Sequence, residues 1–176
     1  IKRACAKLAM ELCQETIHTK DVTHMYKVKS GRNLWLTETL DWEDLMATTL
    51  NVQQLIEQNK KELINLYITS YGGNIDIGFA LYEFIRQVAK PKLQTVILRK
   101  AGSMAVVVAL AGTHRIISRS GVFVFHDASQ NLAEDSTIGR KSLKMIVGLL
   151  DKDIDDYIKV VSNRSKLTRR EVFGLM

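Results

Sequence analysis

The chain has 176 residues, 46% of them hydrophobic, which is enough for one sizeable core, and no Pro/Gly/Ser-rich linker divides it. Its net charge of +6 arises from 25 basic residues interleaved with 19 acidic ones, a pattern that argues against nucleic-acid binding. The longest apolar run, Met104–Gly112, is far shorter than a membrane span. The sequence therefore predicts one domain that neither binds nucleic acid nor crosses a membrane.

The two cysteines, Cys5 and Cys13, lie eight positions apart in a predicted amphipathic helix, Arg3–Glu15. That spacing separates them by about 12 Å, too far for a disulfide. No Cys/His cluster has metal-ligand spacing, so we expect reduced thiols, no metal, and a reducing compartment: the cytoplasm or an organelle interior. The chain starts at Ile1 without a signal-peptide pattern, and we expect it to be a trimmed form.

A βαβ crossover is predicted in the first half of the chain. Leu63–Thr69 has little polar content and reads as a central strand, and Ser70–Gly73 forms a sharp turn. Apolar residues then recur at helical spacing from Asn74 until Pro91, before a second strand at Thr95–Leu98. A strand at Asn33–Thr37 and a helix from its N-cap Asp41 to about Asn59 precede this unit.

Met104–Ala111 follows Ser103 and has no polar face, so we expect it to be buried. Its β-branched residues Val106–Val108 leave strand and helix both open. Two short strands, Ile116–Ile117 and Val122–Phe125, come next, and His126 follows the second of them directly.

The last third of the chain begins with a predicted loop, 131–139, and continues as a long helix from Arg140. The apolar stripe Leu143–Val161 suits docking against another long helix, and we expect Ile154 and Ile158 to take part in that contact. A capping box at 168–171 predicts a short final helix.

A hydroxyl, a base and N–H donors are the parts that nucleophilic catalysis needs. Ser103 and His126 offer the first two, while the Gly-Gly turn and a helix N-terminus can both donate N–H groups. Each residue also has a purely structural interpretation: Gly73 serves the turn, Met104 belongs to the core, and Ser103 caps the buried helix.

From about Leu34 to Val172 the sequence resembles the proteolytic subunit of the Clp protease, within the wider Clp/crotonase group. The family pattern LYINSPGG…G…aiyd appears as LYITSYGGNIDIGFALYE, AASMGA appears as AGSMAV, and the RVMIHQP-type strand appears as GVFVFHDA. Arg115 lies eleven residues before His126, as in the family.

The resemblance implies an α/β fold of the Clp/crotonase type, with repeated ββα and βαβ units, a buried helix after the nucleophile and a long protruding handle helix. It implies one domain over residues 1–176, with 1–32 as a variable N-terminal segment and a shortened C-terminal end. It makes Ser103 the nucleophile, His126 the general base, and the backbone N–H groups of Gly73 and Met104 the oxyanion hole. It implies no cofactor.

The resemblance also implies partners. We expect a homo-oligomer of stacked rings, with or without paralogous subunits, that degrades unfolded polypeptides delivered by an AAA+ unfoldase of the Clp type. The chain itself carries no Walker motif for nucleotide.

Several positions depart from the family pattern. Tyr71 replaces a proline, Ala105 replaces a glycine, and Asp127-Ala128 replace Gln-Pro. The third member of the triad, an Asp, aligns near Leu175.

Other carboxylates could replace that Asp. Asp127 is a poor substitute, because its side chain should point away from that of its neighbour His126 on a strand. Glu171 and Asp156 are further candidates. The remaining interpretations are an acid beyond Met176, a catalytic dyad, or a degenerate paralogue.

Three alternative functions stay open. The chain could be a catalytically inactive ring subunit, which the missing acid favours. It could be a crotonase-like acyl-CoA enzyme using the same N–H donors, although such chemistry needs no nucleophilic serine. It could use Ser/Lys catalysis through Lys100, which would leave His126 without a role.

Overall fold

The computed structural model describes residues 11–13, 15–17, 31–129 and 138–176, which form one parallel sheet with helices around it. The strand order is β1-β5-β4-β3-β2, with β6 beside β4. The strands are β1 (Glu15–Ile17), β2 (Asn33–Leu40), β3 (Ile64–Gly73), β4 (Leu93–Gly102), β5 (His114–Ser118) and β6 (Val122–Val124). The helices are α1 (Trp42–Asn59), α2 (Ile75–Glu83), α3 (Met104–Leu110), α4 (Arg140–Arg164) and α5 (Arg169–Phe173), and a π-helical segment, Phe84–Ala89, extends α2.

The N-terminal helix prediction falls largely outside the described residues, as does Cys5. Its expected last residue, Glu15, lies in β1 rather than in a helix, so that boundary is wrong. Cys13 is buried and free, and desolvation raises the pKa of its thiol to about 12. Among the described helices, none combines the length and hydrophobicity required to cross a bilayer.

Helix α1 is anchored at both ends by polar contacts. The Asp41 carboxylate accepts the N–H groups of Glu43 and Asp44 in a capping box, which confirms the predicted N-cap. At the other end the buried Arg32 guanidinium donates to the Leu55 and Asn59 carbonyls at 3.0 Å each. A cation at the carboxyl end of a helix complements its dipole. The Arg32 contacts tie the end of α1 to the start of β2.

The predicted βαβ crossover is confirmed, since β3 and β4 pair in parallel on either side of α2. Both strands run several residues further than the pattern indicated, to Gly73 and Gly102. Polar residues such as Arg99 and Lys100 are tolerated because this end of the sheet reaches the surface.

Strand β4 has two partners on one side. Gln94–Ile97 pairs with β5, while Lys100–Gly102 pairs with β6. The N–H of Ser103 then donates to the Val124 carbonyl at 2.8 Å, which continues the contact beyond the strand. This fork brings the residues after β4 and β6 to one edge of the sheet.

The segment Met104–Leu110 is a helix, and all seven of its residues are buried. The pattern alone could not decide between helix and strand there. The turn at Ser103 decides it, because it directs the chain out of the sheet and into the core.

Helix α4 divides into two halves with different surroundings. Tyr157, Ile158 and Val161 are buried in this chain's own core, whereas Leu143, Met145, Val147 and Leu149 are exposed. The expectation that Ile158 docks on another helix is therefore wrong, since it is only 6% exposed. The exposed apolar side chains belong to the first half of α4, where they lie on two nearly opposite sides of the helix.

Candidate active site

Ser103 occupies a tight turn between β4 and α3. Its backbone has φ 48° and ψ −125°, a left-handed conformation that costs a non-glycine residue about 1–3 kcal/mol. Glycines hold the turn closely: a Cβ on Gly72 would lie 2.7 Å from Ser103 Cβ, and one on Gly102 would lie 2.7 Å from the Tyr71 carbonyl oxygen. Ser103 stands at the N-cap position, but within the described residues its side chain makes no capping hydrogen bond. The hydroxyl is thus not used to begin the helix.

A cleft with a volume of about 100 Å³ contains all four residues that the sequence singled out. Its lining comprises Gly73, Ile75, Ser103, Met104, His126, Asp127, Ala128, Ser129, Asp153, Ile154, Tyr157 and Met176. The residues come from the carboxyl ends of β3 and β4 and the first residues of the helices that follow them, from the segment after β6, from α4, and from Met176. Open parallel sheets bind their ligands at this edge.

His126 is exposed in the cleft, two residues beyond β6. Its Nδ1 lies 2.7 Å from the Asp127 carbonyl oxygen. A carbonyl can only accept, so this bond requires the proton on Nδ1 and leaves Nε2 with its lone pair. Nε2 is the atom that a general base presents to a serine.

Gly73 and Met104 border the cleft through different elements. Gly73 ends β3, and a Cβ there would lie 2.4 Å from the Leu40 carbonyl oxygen, so the close approach to β2 requires glycine. Met104 begins α3, where N–H groups have no acceptor within the helix. The Met104 side chain is buried against Gly78, and Met104 is also one of the residues that line the cleft.

The family is decided by a comparison with known protein families, in which residues 16–160 match the Clp protease. The chain belongs to the Clp protease family. The mixed α/β architecture with a parallel sheet agrees with the Clp fold that the sequence predicted. The match includes Gly73, Ser103, Met104 and His126, and it ends before Leu175.

The carboxylates considered for the third triad position of this Clp-family chain are engaged elsewhere. Glu171 completes the capping box of α5 by accepting from the Thr168 N–H at 2.8 Å. Asp156 accepts from Lys152 Nζ at 2.8 Å. Neither Glu171 nor Asp156 lines the cleft.

Asp127 is also a poor substitute, but not for the reason that the sequence suggested. It lies beyond the end of β6, and its carboxylate accepts the N–H of Ala128 at 2.9 Å. Met176 does line the cleft, so the segment that carries Leu175 approaches the site.

Asp153 is a cleft residue that the sequence interpretation missed. Burial raises the pKa of its carboxyl group, with Lys152 lowering it and the charges of Asp76 and Asp156 raising it further. A useful signal was its position four residues before Tyr157, which places both on one face of the Clp chain's long helix. Among the described residues, no group of three or more His, Cys, Asp or Glu side chains is suited to a metal ion.

Lys100 lies outside the cleft. Its Nζ is 3.7 Å from the centre of the Tyr71 ring, in a separate depression lined by Thr69, Ser70, Tyr71, Arg99, Lys100 and Val122. This cation–π contact holds the ammonium on the Tyr71 ring, in a depression whose lining does not include Ser103, which disfavours a Ser/Lys mechanism.

Tyr157 links the long helix of the Clp subunit to the Ser103 turn and to Phe125, the residue before His126. Its hydroxyl donates to the Ser103 carbonyl at 3.3 Å, and its ring meets Phe125 edge to face with centroids 6.2 Å apart. Burial raises the pKa of its phenol. The apolar stripe had suggested packing for Tyr157, and the structure adds this contact with the serine turn.

Replacing Tyr157 by phenylalanine should lower the free energy of unfolding by about 0.5–1.5 kcal/mol, because a buried hydrogen bond is lost while the ring packing stays. Urea denaturation followed by circular dichroism measures the change. Tyr71→Phe is the matched control, since that side chain is 66% exposed and should show little effect. Equal losses in both variants would contradict the importance of the contact with Ser103.

Proposed function

We propose that this chain is a proteolytic subunit of a Clp-type protease and a serine endopeptidase. One observation carries the proposal: the strained turn presents Ser103, with its hydroxyl free of capping, in the same cleft as His126. A strained strand-to-helix turn is a recurrent way of exposing a nucleophilic serine. Membership of the Clp protease family supports the same chemistry.

In the proposed mechanism His126 Nε2 removes the proton from Ser103 Oγ as the oxygen attacks a peptide carbonyl. The backbone N–H groups of Gly73 and Met104 stabilise the oxyanion of the tetrahedral intermediate. The imidazolium then returns its proton to the leaving amine, and an acyl-enzyme remains on Ser103. Water hydrolyses that ester by the same route, with His126 again acting as base.

Labelling with a serine-reactive phosphonate tests this proposal. Ser103 should be the residue modified, because an activated serine reacts far faster than ordinary hydroxyl groups. Intact-mass and peptide mass spectrometry should show one adduct, which disappears in Ser103→Ala. Ser129→Ala is the matched control, since that serine lines the same cleft and its loss should leave the adduct in place. An adduct that survives Ser103→Ala would refute the assignment.

A catalytically inactive ring subunit is the second candidate. It is favoured by the contacts of the three acids that the sequence offered: Glu171 and Asp156 accept hydrogen bonds outside the cleft, and the Asp127 carboxylate accepts the Ala128 N–H. The phosphonate experiment distinguishes the two functions, because an inactive subunit would take up no label at Ser103.

We further propose that the subunits assemble into stacked rings around a chamber and receive unfolded polypeptides from an AAA+ unfoldase. The first half of α4 supports assembly, since it exposes four large apolar side chains to solvent: Leu143 and Val147 on one side of the helix, and Met145 and Leu149 on the nearly opposite side. An isolated chain seldom exposes such a group of side chains without a partner. In a closed ring every subunit would bury these side chains in the same contact.

Introducing glutamate at both Met145 and Leu149 should break the assembly and leave each subunit folded. The two residues lie one helical turn apart on α4 and are 63% and 55% exposed. Charges there should change the stability of the monomer little, whereas a charge buried in an apolar contact between subunits should weaken association strongly. Analytical ultracentrifugation should show a smaller particle with an unchanged circular dichroism spectrum.

Ile158→Glu is the control on the same helix. This side chain is buried in the subunit's own core, so its replacement should unfold the chain rather than divide the assembly. A wild-type protein that remains monomeric at micromolar concentrations would contradict the ring proposal.

A further inference from the structure

We infer that Asp127 is a positioning residue for His126, and that it acts through the Asp127–Ala128 peptide group rather than as a charged triad member. Its use in catalysis rests on the proposed function. Its structural part, the tautomer and orientation of His126, can be tested without any activity.

The peptide group between Asp127 and Ala128 is held on both of its polar edges. Its carbonyl oxygen accepts from His126 Nδ1 at 2.7 Å, and its N–H donates to Asp127 Oδ1 at 2.9 Å. Rotating this group would break both hydrogen bonds together. Residues 125–129 belong to no helix or strand, so within the part of the chain that the structure describes no strand ladder holds the group in this orientation.

The carboxylate therefore fixes the carbonyl, and the carbonyl fixes the imidazole. Because the acceptor is a carbonyl, the proton stays on Nδ1 and Nε2 remains the basic atom in the cleft. Proline at position 128 would lack the N–H that this arrangement uses. Ala128 supplies this N–H, and its hydrogen bond to the Asp127 carboxylate restrains the backbone where a proline ring would otherwise do so.

Nitrogen-15 NMR of the histidine side chains tests the inference, with His126→Ala to assign the signal. The wild-type protein and Asp127→Asn should both show the Nδ1–H tautomer, because an amide oxygen can still accept from the Ala128 N–H. Asp127→Ala should show a mixture of tautomers. Its fold should be unchanged in circular dichroism, since the Asp127 side chain is exposed.

The rate of phosphonate labelling supplies the second measurement. Asp127→Ala should label Ser103 about five- to tenfold more slowly, the effect of losing one hydrogen bond, and Asp127→Asn should stay within about twofold of wild type. A wild-type signal from the Nε2–H tautomer would overturn the inference, as would an unchanged tautomer in Asp127→Ala. If Asp127→Asn lost as much rate as Asp127→Ala, the charge would be what matters and the inference would be wrong. The expected tautomers in a protein that never labels would support the inference and refute the proposed function.

Discussion

Replacing His126 by alanine should slow the acylation of Ser103 by about 10³-fold or more. A serine hydroxyl is a weak nucleophile at neutral pH, and the base that removes its proton accounts for much of its reactivity. Among the described residues that line the cleft, His126 is the only histidine. Lys100 is held against Tyr71 in another depression. The rate of phosphonate labelling measured by mass spectrometry gives the effect directly.

His114→Gln is the control for this experiment. That histidine begins β5 and does not line the cleft, so its replacement should leave the labelling rate close to wild type. Circular dichroism should confirm that both variants are folded. Near-full labelling in His126→Ala would show that another group activates Ser103.

Introducing aspartate at Leu175 should raise peptidase activity by at least an order of magnitude. Nδ1 of His126 now donates to a neutral carbonyl, which sets the tautomer but supplies no negative charge for the imidazolium. In serine protease triads, replacing the Asp by Asn costs about 10⁴ in turnover. Met176 already lines the cleft, so a carboxylate at 175 is close enough in the chain to approach His126.

Leu175→Asn separates charge from shape, because it places an amide of the same size at the same position. It should give little of the gain. A fluorogenic peptide substrate measures turnover in both variants, and active-site titration with the phosphonate corrects for the fraction of competent protein. High activity in the unmodified chain, with no gain in Leu175→Asp, would show that the acid is already supplied from another place.

The central part of the fold can be predicted from the sequence because the spacing of its apolar residues changes sharply. Apolar residues run without interruption to Thr69, glycines mark the turn, and a helical repeat starts at Asn74, so the βαβ unit could be predicted. The pattern fails where every residue is apolar, as in α3, since helix and strand then look alike. It also cannot show that β4 has a second partner, because strand pairing between Lys100–Gly102 and β6 leaves no local mark.

The site could be predicted in part for a similar reason. Ser103 and His126 each follow an apolar run, and the family motifs identify them. Asp153 and Tyr157 could not be assigned in this way, because a helical stripe shows which residues face inward but not which neighbour they meet. For the same reason the stripe predicts Ile158 in a contact with another helix, whereas the structure buries it in the subunit's own core. The expected roles of Ser103, His126, Gly73 and Met104 remain predictions until the labelling experiments are made.

The pairing of β4 with both β5 and β6 implies that activity can be lost under conditions where most of the fold is still intact. Strand β6 is three residues long and partly exposed, and it connects the position of His126 to the Ser103 amide through the Val124 carbonyl. Short, solvent-accessible elements open locally at lower free energy than the core. If β6 detaches, the base leaves the cleft and the serine turn loses a hydrogen bond, while the sheet from β2 to β5 persists. Mild denaturant would then yield a dormant but still folded subunit, and amide exchange at Ser103 would report how often that dormant form appears.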